Sequence, residues 1–306
     1  MDFLSVAGRI LSLFLIMAIG FGLNKAKMLN EETNSIYTKL VLNVTMPAQI
    51  VTAFISHRGM MSYGEIFQGL AVAASLFLVY IVVTMVYLII CRVNKRQRGV
   101  YLFMGMFSNV AFMGYPVITA VLGEEAMLPA VLMSVMFNLW CFTAGVFLIG
   151  DNERERHFNP KAFLNVPLIA SLLSIILYFA GVDFPEPVMT SLGYLGNVTT
   201  PLAMLVLGSS IASMPMKTFF DDWRVYVFTA FRLLIIPVVA FLYLKMIPGV
   251  SELTKGTYLL ASAMPVATSA TMMAIEYKGD VELAAKGIFF STLLSMLTIP
   301  LFAMFC

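Results

Sequence analysis

Two stretches of the chain combine helix-breaking residues with side chains suited to holding a ligand. The first is Asn109-Val110-Ala111-Phe112-Met113-Gly114-Tyr115-Pro116, in the middle of an apolar run. Proline has no N–H, and its ring clashes with the carbonyl four residues earlier, here that of Phe112, while Gly114 weakens the same turn. The second is Ala263-Met264-Pro265-Val266-Ala267-Thr268-Ser269-Ala270-Thr271. The chemistry on offer is binding rather than bond-making. Freed N–H groups at the start of a half-helix carry partial positive charge and suit a carboxylate. A lone proline kink in an apolar helix is most often structural. Two interrupted helices in matching positions, flanked by Asn109, Thr268 and Ser269, point instead to a site at Asn109, Gly114, Pro116, Pro265, Thr268 and Ser269.

Asn43-Val44-Thr45-Met46-Pro47 and Asn197-Val198-Thr199-Thr200-Pro201 form a second pair. Each Asn stands four residues before its proline and owns the carbonyl that the proline leaves unpaired. Thr45 and Thr199 either bridge those groups locally or, with Asn43 and Asn197, line a ligand path. Arg232 lies within an apolar run and needs a partner there, either helix-end carbonyls or an anionic ligand. Arg9 is near enough to the end of its run to snorkel. No Asp or Glu falls at the middle of a run, so no acidic proton relay or carboxylate sodium site is visible.

Catalytic, cofactor and metal chemistry find little to work with. The histidines are His57 and His157, and Cys91, Cys141 and Cys306 are scattered, which gives neither a zinc cluster nor a disulfide framework. No Gly-rich phosphate loop, H-E-x-x-H or G-x-S-x-G motif is present. The expectation is a binding protein with no cofactor, no metal and no nucleic-acid partner, and not an enzyme.

The elements that must position these residues follow from composition. Hydrophobic residues make up 60% of the chain and charged ones 12%, a balance that belongs to membrane proteins. A hydrocarbon core about 30 Å thick needs roughly 20 apolar residues per helix. Ten runs qualify, at 4–23, 35–56, 66–91, 100–122, 127–149, 166–182, 187–212, 225–247, 257–277 and 285–305. The start, Met1-Asp2-Phe3, lacks the basic segment of a secretory leader, so the first run reads as a retained span. Asn109 is nine residues into its run, about 13 Å at about 1.5 Å per residue, close to the midplane.

Thirteen lysines and arginines fall in connections on one side of the ten runs and three on the other. This bias places both termini outside the cytoplasm. The chain also repeats itself. The Asn-Val-Thr echo recurs at an offset of 154, and Pro116-Val117 is matched by Pro265-Val266 at 149. Run two thus pairs with seven and four with nine. Because five is odd, the second copy enters the membrane upside down. The charges agree, for the connection Cys91–Arg98 is basic and its partner Gly249–Thr254 carries no base. The predicted architecture is all-α and integral to the membrane: ten helices in two inverted five-helix repeats, with helices 4 and 9 broken. The repeats span 1–149 and 166–306, and the charged stretch 150–165 is a solvated cytoplasmic linker.

These residues resemble the auxin efflux carrier family, which includes plant PIN-type carriers and bacterial permeases, over essentially the whole chain. The resemblance is carried by Asn109–Pro116, by Thr200-Pro201-Leu202-Ala203-Met204-Leu205 with Gly208, by Arg232-Leu233 with Pro237, and by Pro265 with Glu276-Tyr277. It implies that the broken helices 4 and 9 cross at the site, with a scaffold of spans 1, 2, 6 and 7, often dimeric, and a moving unit of the other six. It also implies that Asn109 contacts a substrate carboxylate. The chain lacks the long central loop of the plant carriers and has Ala270 where they have a second proline, so the resemblance favours small anions over auxin. The expectation is a secondary carrier of malate- or malonate-like anions in the cytoplasmic membrane, homodimeric, in contact with lipid, and coupled to H⁺ or Na⁺ if coupled at all. The alternative is a sensor on the same fold that binds a carboxylate without moving it.

Overall fold

The computed structural model describes residues 3–149, 165–214 and 222–306, and every regular element among them is helical. The linker at 150–165, apart from Asn165, lies outside the described residues, as do Arg154, Arg156, Lys161 and Lys217. In chain order the helices are α1 (Phe3–Lys25), α2 (Glu31–Ser56), α3 (Tyr63–Ile90), α4 (Lys95–Met106), α5 (Val110–Leu122) and α6 (Glu124–Ile149). They continue with α7 (Val166–Ala180), α8 (Glu186–Ser213), α9 (Trp223–Met246), α10 (Glu252–Ala263), α11 (Ser269–Glu276) and α12 (Val281–Ala303). Seven of them, α1, α2, α3, α6, α8, α9 and α12, are long and apolar enough to cross a membrane, while α5 and α7 are shorter apolar helices. The apolar runs at 100–122 and 257–277 each fall on two helical pieces, α4 with α5 and α10 with α11.

Proline shapes several helices without ending them. Three π turns, Val41–Thr45, Val110–Gly114 and Phe231–Ile235, each stop two residues before a proline, namely Pro47, Pro116 and Pro237. Bonds reaching five residues back, from Met46 N to Val41 O, Gly114 N to Asn109 O and Ile236 N to Phe231 O, widen the turn around the proline ring. A fourth π turn, Cys141–Gly145, has no proline after it. Pro201 is accommodated inside regular α8, so the echo between Asn43–Pro47 and Asn197–Pro201 does not extend to local geometry. Nor do the threonines repair the freed carbonyls. The Oγ1 atoms of Thr45 and Thr199 are both buried without a hydrogen-bond partner.

Helix ends gather on two faces. On one, Arg58 pairs with Asp183 at 2.6 Å, Tyr178 bonds Met61, and Arg9 reaches Ala120 O at 3.0 Å. On the other, Asn24 bonds Ser209 and Ser213, Lys25 reaches Ala212 O at 3.0 Å, and Gln97 bonds Asp280. The first face turns on Gly59, Gly123, Gly181 and Gly249, all at positive φ. The second does not. There α1, α3 and α11 end on Lys27, Arg92 and Lys278, with φ of 62°, 47° and 52°. Each of these three donates to the carbonyl three residues back, and the following N–H reaches five back, which is the Schellman closure with a basic residue where glycine is usual.

Helices α1 and α8 meet backbone to backbone. A Cβ on Gly208 would overlap Met17 O, and one on Gly20 would overlap Leu205 O. Small residues at such a contact let membrane helices approach closely enough for van der Waals attraction to hold them. We therefore expect Gly208→Ala to separate the pair and destabilise the protein by about 1–3 kcal/mol. Thermal unfolding of purified protein in detergent measures this, with Gly22→Ala, where an added Cβ meets nothing within 4 Å, as the control.

Candidate functional site

The two interruptions meet. Phe107–Asn109, between α4 and α5, lies antiparallel to Pro265–Ala267, between α10 and α11, with Ser108 and Val266 facing one another. Asn109 N donates to Pro265 O at 2.8 Å, and Ala267 N donates to Phe107 O at 2.9 Å. Val266 N donates to Ser291 Oγ of α12 at 3.0 Å, and Ser108 O accepts from Val110 N at 2.8 Å. Backbone that has left the helix at this depth finds its partners in the opposite break, which is what a medium without water demands.

The breaks are not where proline chemistry alone places them. The first falls at Phe107–Asn109, upstream of Phe112, and Pro116 lies beyond it in α5 after a π turn. Pro265 is inside its break and supplies a bridging carbonyl. Ser108 and Val266 are 158 positions apart (266 − 108), against 149 for the two prolines, so Pro116 and Pro265 are not equivalent positions.

Asn109 is 5% exposed and caps the half-helix that follows it, its Oδ1 accepting from Met113 N at 3.3 Å. Its Nδ2 is buried and has no partner among the described residues. Gly114 lies against Asn109 O and the Met264 side chain, where a Cβ would stand 3.1 Å and 3.5 Å away. On the other strand of the crossing, Thr268 is exposed and Ser269, the first residue of α11, has a buried Oγ without a partner. Thr268 offers α11 no side-chain cap. The crossing therefore joins Asn109, Gly114 and Pro265 with Thr268 and Ser269 adjoining. It presents the Asn109 amide donor, the hydroxyls of Thr268 and Ser269, and helix starts with their partial positive charge.

The remaining predicted residues lie elsewhere. Asn43 and Asn197 are exposed on α2 and α8, and Asn197 lines a cleft between those helices. Arg232, 1% exposed, donates from Nη1 to Ser262 O at 2.8 Å. Ser262 is in the last turn of α10, so the guanidinium sits at the negative end of that half-helix. Of the two partners open to Arg232, the structure shows the helix-end carbonyl. Ser262 Oγ bonds Tyr80 OH and the Tyr258 carbonyl, which ties α3, α9 and α10 together. Arg9 plays the matching role on Ala120 O, near the end of α5. Sequence reasoning missed the capping role of Asn109, although an Asn just before an apolar run is a helix-start signature. It also missed Ser291, Ser262 and Tyr80, which no local pattern marks.

The model of the family described as membrane transport protein matches residues 5–303 of the chain. An uncharacterized transporter of Methanocaldococcus jannaschii is 28% identical over 309 residues, covering 95% of this chain and 96% of that protein. An uncharacterized transporter of Methanothermobacter thermautotrophicus is 26% identical, with 99% of each chain covered. A protein of Rhizobium meliloti described as a putative malonate transporter is 23% identical over 205 residues, covering 64% of this chain and 63% of that protein.

The clamp at Arg232 generates a prediction. Arg232→Met removes a buried charge-assisted hydrogen bond and leaves Ser262 O unpaired, which costs about 1.5–3 kcal/mol. Arg232→Lys keeps the charge but not the planar fork and should recover part of that loss. Thermal unfolding of the two variants beside the wild type checks the order wild type, lysine, methionine.

Proposed function

Since the chain belongs to the membrane transport protein family, and is a multi-pass transporter rather than an enzyme, we propose that it carries small organic anions of the mono- and dicarboxylate class across the cytoplasmic membrane by alternating access. The observation that carries this reading is the buried Nδ2 of Asn109 at the crossing, which has no partner among the described residues, together with the equally unpartnered Ser269 Oγ at the start of α11. A donor left without a partner in a water-poor site is unfavourable unless a ligand or water satisfies it. A carboxylate satisfies an amide donor, a hydroxyl and the starts of α5 and α11 together. The partial match to a putative malonate transporter points to the same class of cargo.

The transport cycle we infer uses ten crossings in two inverted five-helix halves, 1–149 and 166–306, joined by 150–165. Supporting this, the bonds from Asn109 to Pro265 and from Ala267 to Phe107 are related to each other by a local two-fold. The face that ends on Lys27, Arg92 and Lys278 is taken as cytoplasmic, which leaves both termini outside. Spans 1, 2, 6 and 7 (α1, α2, α7 and α8) form a scaffold through which two copies pair, and the crossing belongs to the unit that moves against it. The close α1–α8 contact suits the scaffold role.

Proteoliposomes holding the purified protein should accumulate labelled malonate, malate or a related carboxylate. Asn109→Ala should weaken binding tenfold or more, about 1.5–3 kcal/mol for a hydrogen bond to a charged group. Asn109→Asp keeps the cap oxygen for Met113 N but swaps the donor for a negative charge, and should abolish uptake while the protein stays folded. Flux that is normal in both variants would move the site elsewhere. Binding without flux in the wild type would favour a sensor over a carrier.

A further inference from the structure

Toward the face that carries His57, α2 and α8 enclose a cleft of about 280 Å³. They approach closely at one point, where a Cβ on Gly196 would lie 3.0 Å from Gln49 Cα. The walls are Gln49, Thr52, Ser56 and His57 from α2 and its end, Asn197 with two glycines from α8, and Glu124 from the start of α6. Gln49, Thr52 and Ser56 follow one another at helical spacings of three and four, so they form a single polar stripe. Gln49 Oε1 and Thr52 Oγ1 are buried and have no hydrogen-bond partner among the described residues. Of the two, the Thr52 hydroxyl can donate to an anion, whereas the Gln49 oxygen only accepts.

The charges around the cleft are unusual for an anion carrier. No Lys or Arg lines it. Arg58, next to His57 in sequence, is committed to Asp183 Oδ1 at 2.6 Å and to the Val182 carbonyl. The wall from α8 contributes no titratable group, and Glu124 is the negative one. Among the described residues, that leaves His57 as the source of positive charge in the wall. Its Nδ1 lies 2.9 Å from Ala53 O, and a carbonyl only accepts, so Nδ1 carries the ring proton of the neutral form. Nε2 is then the lone-pair nitrogen, and a carboxylate finds no donor there. Protonation reverses this, for Nε2 becomes a donor and the imidazolium balances Glu124.

We infer that this cleft is a docking site distinct from the crossing, where a small carboxylate is bound together with one proton from solvent, held on His57 Nε2. The inference rests on the carboxylate reading above and adds the coupling ion to it. The carboxylate accepts from Nε2 and from the stripe and Asn197, while Glu124 disfavours an anion that arrives without its proton. Coupling to H⁺ then needs no acidic residue at mid-depth, because His57 Nε2 holds the proton.

The test is calorimetric titration of malonate into the purified full-length protein, near pH 7, in two buffers of different ionisation heat. The wild type should take up protons as it binds malonate, at most one per malonate, with affinity rising by up to about tenfold per unit fall in pH. His57→Gln should lose both the proton uptake and the pH dependence. Glu124→Gln should keep the slope and bind more tightly at the alkaline end. Proton uptake unchanged in His57→Gln, or none in a wild type that binds malonate, overturns the docking site and leaves the carrier reading standing. A wild type that binds no member of a mono- and dicarboxylate panel overturns both. Should His57→Gln fail to fold, NMR of the His57 ring in a His157→Gln background replaces it. That ring must then titrate at higher pH with malonate than without, and an unmoved titration overturns the site.

Discussion

Backbone that leaves the helix inside a membrane has to find hydrogen-bond partners within the protein, and most of this structure follows from how that is done at Phe107–Asn109 and Pro265–Ala267. Each segment satisfies the other through two short bonds, with Ser291 of α12 taking the N–H of Val266. Neither break is tolerable without its opposite number, because an orphaned backbone group in hydrocarbon costs several kcal/mol. The arrangement makes four half-helices out of two helices and turns two of their positive ends toward the middle of the protein.

The negative ends of those half-helices are managed by cations placed far away in sequence. Arg232 sits on Ser262 O at the end of α10, Arg9 on Ala120 O near the end of α5, and Lys25 serves α8 in the same way through Ala212 O. Arginines thus meet the carbonyl ends of α10 and α5, while the starts of α5 and α11 carry partial positive charge at the crossing, with no Lys or Arg among the described residues that form it. A fixed lysine or arginine there would bind an anion more strongly but release it less readily. Dipoles and neutral amides avoid that trap.

Much of this was legible in the residues. Apolar runs marked each helix, and the two stretches rich in Gly, Pro, Asn, Ser and Thr marked both interruptions, since these residue types weaken helices through local covalent geometry. What local chemistry could not supply was register. Pro116 and Pro265 invite pairing at an offset of 149, whereas the backbone pairs Ser108 with Val266, because a π turn lets α5 carry its proline and moves the break upstream to Asn109. Thr45 and Thr199 look like local repair groups and are not, since widening the turn had already dealt with Pro47. Ser291, Ser262 and His57 gain their meaning from neighbours 25 or more positions away, or from a cleft wall, and no window of sequence holds that information.

The three left-handed basic residues have a consequence for how the chain is made. Lys27, Arg92 and Lys278 occupy a conformation that costs a side-chain-bearing residue about 1–2 kcal/mol and glycine almost nothing. Folding stability alone would favour glycine at all three, as on the opposite face. On the proposed orientation these positions instead serve the moment of insertion, when the nascent helices are sorted by the charge of their flanks before any of them has packed. The finished protein thus carries a permanent strain that is useful only during its synthesis. Selection for thermal robustness alone would erase it, and each glycine gained would weaken the charge bias on which the proposed orientation rests.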